Sequence, residues 1–128
     1  MSQIVRSEHC ILICDDDARL RRALSHELRR RGFETIEAVD GRAGLEMARH
    51  HDPCVIVTDV MMPNLDGLGL IKGLRDLGSQ IPVVVMTGHP SLTRALEAGR
   101  LGVQQFIAKP LDMGKLQEML QRAVKRAE

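Results

Sequence analysis

Short apolar runs and amphipathic stretches alternate five times along this chain of 128 residues. Residues 11–14 form a continuous apolar run. The stretch 18–31 follows, with Leu20, Ala23, Leu24 and Leu28 at helical spacing and Gly32 placed to close the helix. Residues 34–39 read as a weaker, alternating strand. Asp40 is placed to cap a helix to about residue 51 that carries Ala43, Leu45 and Ala48. Residues 54–58 are apolar and β-branched, the pattern of a buried strand. Asp66 can cap a helix bearing Leu70, Ile71, Leu74 and Leu77, although Gly69 and Gly73 weaken it. The Val-rich run 82–86, bounded by Pro and Gly, is the clearest strand. Pro90 and Ser91 open a helix ending near Leu101. A short strand over 106–108 precedes Pro110, and Asp112 can cap a last helix with Leu116, Met119, Leu120 and Ala123 inward.

Strand–helix alternation implies a parallel sheet with right-handed crossovers. Continuous apolar strands imply that both sheet faces are covered. The expected fold is therefore α/β: a single doubly wound (βα)5 domain without repeats, linkers or low-complexity segments.

Composition narrows the function. A hydrophobic share of 44% argues against disorder. Eighteen basic residues stand against 17 acidic ones, so the basic excess of a dedicated nucleic-acid binder is missing. Phe33 and Phe106 are the only aromatics, too few for a base-stacking platform. No apolar run approaches the roughly 18 residues of a membrane span, and residues 1–9 lack the apolar region of a signal peptide. Cys10, Cys14 and Cys54 read as buried free thiols, so a cytoplasmic location is expected.

Ligands of such sheets bind outside the carboxyl ends of the strands. The first strand ends in Asp15, Asp16 and Asp17, the third in Thr58 and Asp59, the fourth in Thr87 and Gly88, and the fifth in Lys109 and Pro110. Asp15, Asp16 and Asp59 crowd three negative charges against the one positive charge of Lys109. Carboxylates so placed repel unless a cation intervenes. A divalent cation would balance the sum, and oxygen ligands with waters suit Mg²⁺.

Four segments, in order and at strand ends, carry a family resemblance: Ile-Leu-Ile-Cys-Asp-Asp-Asp, Val-Thr-Asp-Val-Met-Met-Pro-Asn-Leu-Asp-Gly, Val-Val-Val-Met-Thr-Gly-His and Phe-Ile-Ala-Lys-Pro. The chain resembles the receiver domain of two-component response regulators from about residue 10 to residue 124. All of 1–128 reads as one such domain with its core at about 10–126. The resemblance implies a flavodoxin-like fold with strand order 2-1-3-4-5. It implies that Asp59 accepts a phosphoryl group from a histidine kinase or phosphotransfer protein. Asp16 would be a direct Mg²⁺ ligand, Asp15 its partner acting largely through water, and Asp59 and the backbone carbonyl of Met61 further ligands. Thr87 would hydrogen-bond the phosphoryl group, Lys109 would pair with it, and the Lys109–Pro110 bond would be cis.

The resemblance further implies a switch in which Thr87 moves toward the phosphoryl group and Phe106 turns inward behind it. Phe106 stands where the family often has Tyr, so coupling would run through packing and not through a phenol hydrogen bond. The responding surface would be helix 4, strand 5 and helix 5, with Ser91, Leu92, Ala95, Val103, Gln104, Phe106 and Lys115. An output domain, a partner protein or a homodimer is expected there, with no direct nucleic-acid binding by this domain. Such a domain contributes to its own phosphorylation and dephosphorylation and is not a turnover enzyme on an external substrate. The alternatives are a degenerate, binding-only receiver and an aspartyl-phosphate phosphatase of the haloacid dehalogenase type. The latter carries an Asp-x-Asp pair on its first strand, unlike Asp59 on the third.

Other residues have ordinary roles. Asp17 and Asp66 read as helix caps, and Met62 as packing. His26 reads as a solvated residue, and His50 and His51 as helix-end residues. Met61, two residues after Asp59, reads as packing and His89, two after Thr87, as a surface histidine; the resemblance implies instead that both positions adjust phosphoryl lifetime, with Met61 shielding the acyl phosphate from water. Arg19, Arg21, Arg22, Arg29, Arg30 and Arg31 read as a solvated face, with kinase docking as the alternative.

Overall fold

The computed structural model describes residues 10–88, 92–103 and 105–127. Five strands and five helices alternate: β1 Cys10–Cys14, α1 Ala18–Arg30, β2 Glu34–Ala38, α2 Gly41–His51, β3 Val55–Asp59, α3 Gly67–Asp76, β4 Val83–Thr87, α4 Leu92–Arg100, β5 Gln105–Ala108 and α5 Met113–Ala127. All pairings are parallel, in the order β2-β1-β3-β4-β5.

Successive strand residues feed opposite faces of the sheet. Ile11, Ile13, Val55, Val57, Val84, Met86 and Ile107 pack against Leu24 and Leu28 of α1 and Leu116, Leu120 and Ala123 of α5. Leu12, Cys14, Ile56, Val83 and Val85 pack against α2, α3 and α4 through Ala48, Leu70, Ile71, Leu74 and Ala98. This two-sided burial is why the inner strands carry no polar alternation. β2, at the sheet edge, is only partly buried, which accounts for its mixed pattern.

The helices start where aspartates accept their unpaired N–H groups. Asp17 accepts from Arg19 and Leu20 at 3.0 and 3.2 Å, Asp40 from Ala43 at 2.8 Å, Asp66 from Gly69 at 2.7 Å and Asp112 from Lys115 at 3.0 Å. Gly32 (φ 97°) and Gly78 (φ 85°) turn the chain out of α1 and α3 in the left-handed region.

Two packing expectations need correction. Ala23 is exposed, and Arg21 and Ser25 are buried on α1 instead, because β2 presents Glu37 and Thr35 to that side. Leu77 is 58% exposed because α3 ends at Asp76 and Leu77 caps it before Gly78 turns away. The expected helix start at Pro90 and Ser91 lies outside the described residues.

Candidate functional site

The carboxyl ends of β1, β3, β4 and β5 share one rim because the sheet is parallel throughout. Asp15 and Asp16 follow β1, Asp59 and Thr87 end β3 and β4, and Lys109 follows β5. Carboxylate oxygens of Asp15, Asp16 and Asp59 lie within 4.8 Å of one another. Lys109 Nζ donates to Asp59 Oδ2 at 2.8 Å and to Asp15 Oδ2 at 3.2 Å. Asp15 is fully buried, and its Oδ1 accepts the Asp17 N–H at 2.9 Å. Asp16 is exposed and Asp59 half-buried.

Burial pushes the Asp15 carboxyl above its ordinary range, although the Asp17 N–H and Lys109 oppose the rise. Burial alone would push the Lys109 ammonium down. The hydrogen bond to Asp59 and the charge of Asp15 outweigh it and hold Lys109 above its ordinary value. The ammonium therefore stays charged between two carboxylates. Burial, with the charges of Asp40 and Asp15, drives the neighbouring Cys14 thiol up to about 12. A thiol must ionise to bind a metal well, so the donor set here is oxygen alone. Three carboxylates against one ammonium fit a hard divalent cation such as Mg²⁺.

Thr87 is half-buried beside this cluster. Asp59, Met61, Thr87, Lys109 and Phe106 line one cavity of about 600 Å³ that runs under α4 against Val85, Ala95 and Ala98. Val85 pairs with Phe106 in the β4–β5 register. Thr87 lies two residues beyond Val85, so the pleat puts Thr87 and Phe106 on the α4 face together. Phe106 is 36% exposed. The Lys109–Pro110 bond is cis, and the Lys109 N–H donates to the Thr87 carbonyl at 2.9 Å.

The loop after Asp59 is closely held. The Met61 N–H donates to Asp59 Oδ1 at 3.3 Å. Gly67 N–H donates to the Val60 carbonyl at 2.8 Å, and a Cβ on Gly67 would lie 2.2 Å from the Asp59 carbonyl oxygen. Asn64, at φ 68°, donates to Asp40 Oδ2 at 2.6 Å.

The family model for the response regulator receiver domain matches residues 11–121. The chain belongs to this family. It is 37% identical over 114 residues to the regulatory protein AtoC of Escherichia coli, covering 89% of this chain and 25% of AtoC. It is 36% identical over 118 residues to the transcriptional regulatory protein FixJ of Bradyrhizobium diazoefficiens, covering 92% of this chain and 58% of FixJ. Among solved structures, the receiver domain of a Francisella response regulator superposes with a TM-score of 0.86 at 28% identity, covering 93% of this chain and 98% of that one. The chain thus spans a quarter to about three fifths of these two curated relatives and is a two-component receiver domain with the flavodoxin-like α/β fold.

Asp15, Asp16 and Asp59 stand together on the rim, and Asp59, Met61, Thr87, Lys109 and Phe106 line the adjoining cavity. Met61 is 64% exposed at the mouth. His89, Ser91, Gln104 and the Leu92 side chain lie outside the described residues. Val103 does not belong to the expected docking surface: it is 3% exposed and packs in the core with Ala98 and Val83. Asp17 and Asp66 are caps, as read. The three cysteines are buried free thiols, and among the described residues no helix is long and apolar enough to cross a membrane.

Two side chains beside the site have contacts that the sequence pattern does not show. Arg21 is 7% exposed and bonded to the site loop, not part of a solvated face. Arg94 of α4 lines the cavity and pairs with Asp66 at 3.5 Å, which ties α4 to the start of α3. The Arg run offered no local signal for the first, since the partner Glu37 lies 16 residues away.

Proposed function

We propose that this receiver domain accepts a phosphoryl group on Asp59 from a phosphohistidine of a histidine kinase or phosphotransfer protein, with Mg²⁺ as cofactor. The observation that carries this reading is the Asp15–Asp16–Asp59 cluster with Lys109 bridging two of its members. Phosphoryl transfer is mostly positioning and charge neutralisation. An Asp59 carboxylate oxygen attacks phosphorus in line. The bond from phosphorus to the imidazole nitrogen breaks, and that nitrogen keeps the electron pair. Lys109 faces the charge that gathers on the equatorial oxygens, and Thr87 offers its hydroxyl from β4. Asp15, Asp16, Asp59 and the Met61 carbonyl would hold Mg²⁺, which would offset charge on the phosphoryl oxygens. The product is an aspartyl phosphate, which water hydrolyses. The domain contributes to both steps on itself and does not turn over an external substrate.

The same reading extends to the output. Thr87 shifts toward the phosphoryl group, and the partly exposed Phe106 ring enters the cavity beneath α4. The surface of α4, β5 and α5, including Ala95, Phe106 and Lys115, then engages an output domain, a partner protein or a second copy. The regulatory protein AtoC and the transcriptional regulatory protein FixJ are longer than this chain, which supports an output module as one recipient. Buried free thiols suit a reducing cytoplasm.

Beryllofluoride with Mg²⁺ tests the reading by amide NMR. Shifts centred on Asp59, Thr87 and Phe106 are expected, and they disappear in Asp59→Ala. A spectrum unchanged by the mixture contradicts the proposal.

A further inference from the structure

We infer that Arg21 is a positioning residue for the metal site, acting through the backbone of Asp15; this rests on the metal-binding part of the proposed function. Asp15 lies just beyond the last residue of β1, so its carbonyl has left the β1 ladder. A buried carbonyl needs a donor. Arg21 Nη1 supplies it at 2.9 Å, and Arg21 Nε donates to Glu37 Oε1 on β2, also at 2.9 Å. The Asp15 N–H donates to the Ala38 carbonyl at 3.2 Å. Asp15 is therefore gripped at both backbone ends by adjacent residues of the edge strand, one grip direct and one through the guanidinium. The peptide carrying that carbonyl is the one that leads into Asp16, so its orientation sets where the exposed Asp16 carboxylate stands relative to Asp15 and Asp59.

Electrostatics alone would select against this residue. A guanidinium beside a cation site repels the cation, and Glu37 offsets that charge at 2.9 Å. The two accounts therefore predict opposite signs. If Arg21 acted only as a charge, its removal would tighten metal binding. If it orients the Asp15–Asp16 peptide, its removal weakens binding. Groups that orient metal ligands typically matter by about 10-fold or more in affinity.

The test is titration of the domain with Mn²⁺ alone, with the free ion followed by electron paramagnetic resonance. Arg21→Met is expected to weaken binding about 10-fold. The double variant Arg21→Met/Glu37→Met leaves the net charge unchanged and guards against a fold lost to an unpaired Glu37. It is expected to weaken binding to a similar degree, and Arg21→Lys to recover part of the loss. A metal-free readout accompanies these: the Asp17 amide, which donates to Asp15 Oδ1, should exchange with deuterium faster in both Met variants while core strand amides are unchanged. Binding equal to or tighter than wild type in both Met variants overturns the inference, as does unaltered Asp17 exchange. Failure of the wild-type domain to bind Mn²⁺ overturns the metal reading itself and leaves the exchange measurement to decide the role of Arg21.

Discussion

Lys109 Nζ stands 2.8 Å from Oδ2 of Asp59, two groups brought together across 50 residues of sequence. The same ammonium reaches Asp15 Oδ2 at 3.2 Å, so one cation serves two carboxylates. Lys109→Gln leaves the three acids without that charge. Stability of the metal-free domain at neutral pH should fall by about 2 kcal/mol, the scale of a charged hydrogen bond. Mg²⁺ should stabilise this variant more than wild type, because the site is then more negative. Urea unfolding with and without Mg²⁺ measures both, and identical curves for the two proteins would remove the argument.

Asp15 predicts an acid-side trend. Burial raises its folded-state pKa above the ordinary value near about 3.9. The folded protein thus holds this proton more tightly than the unfolded chain. That contribution is complete below about pH 4 and is lost as pH rises through the folded value. Asp15→Asn should be more stable than wild type at pH 7 without metal, with a flatter profile between these limits, and should gain less from Mg²⁺. Thermal unfolding across pH decides it.

Lys109 predicts the alkaline counterpart. Its folded-state pKa is raised, so its stabilisation is present below about pH 10.4 and is lost as pH climbs through the folded value. Lys109→Gln should lack this alkaline loss. The same unfolding series extended upward tests it.

Gly67 tests the close approach behind the acceptor. A Cβ there meets the Asp59 carbonyl oxygen at 2.2 Å, and backbone cannot step aside cheaply. Gly67→Ala should cost about 3 kcal/mol and disturb Asp59. Gly99, inside α4 with nothing within 4 Å, is the control. Gly99→Ala should gain about 0.5–1 kcal/mol from helix propensity. Equal effects of the two substitutions in denaturant titrations would contradict the packing described.

Met61 stands at the mouth of the cavity, 64% exposed. Its thioether can cover the acyl phosphate from water only by folding over the rim. Met61→Ser should shorten the lifetime of phosphorylated Asp59 several-fold, measured by phosphate release after removal of the donor. An unchanged half-life dismisses the shielding role.

Much of this was legible in the sequence for physical reasons. Asp17, Asp40, Asp66 and Asp112 mark helix starts because a short carboxylate satisfies local N–H groups, and each does so here. Strand ends on one rim follow from parallel topology, so Asp15, Asp59, Thr87 and Lys109 could be brought together on paper. What failed depended on partners far away in the chain. Arg21 looks like any of six arginines until Glu37 of β2 and the Asp15 carbonyl are placed beside it. Val103 looks like a surface loop residue until the α4–β5 turn folds it into the core. Ala23 and Leu77 sit at the margins of apolar stripes, where a shift of one helical position decides burial.

The most direct test is phosphoryl incorporation from acetyl phosphate, followed by intact-protein mass. The account predicts a hydroxylamine-labile phosphoryl group on the wild-type domain in Mg²⁺, absent when the metal is chelated and absent in Asp59→Asn. No incorporation under any of these conditions, or incorporation undiminished in Asp59→Asn, would contradict it.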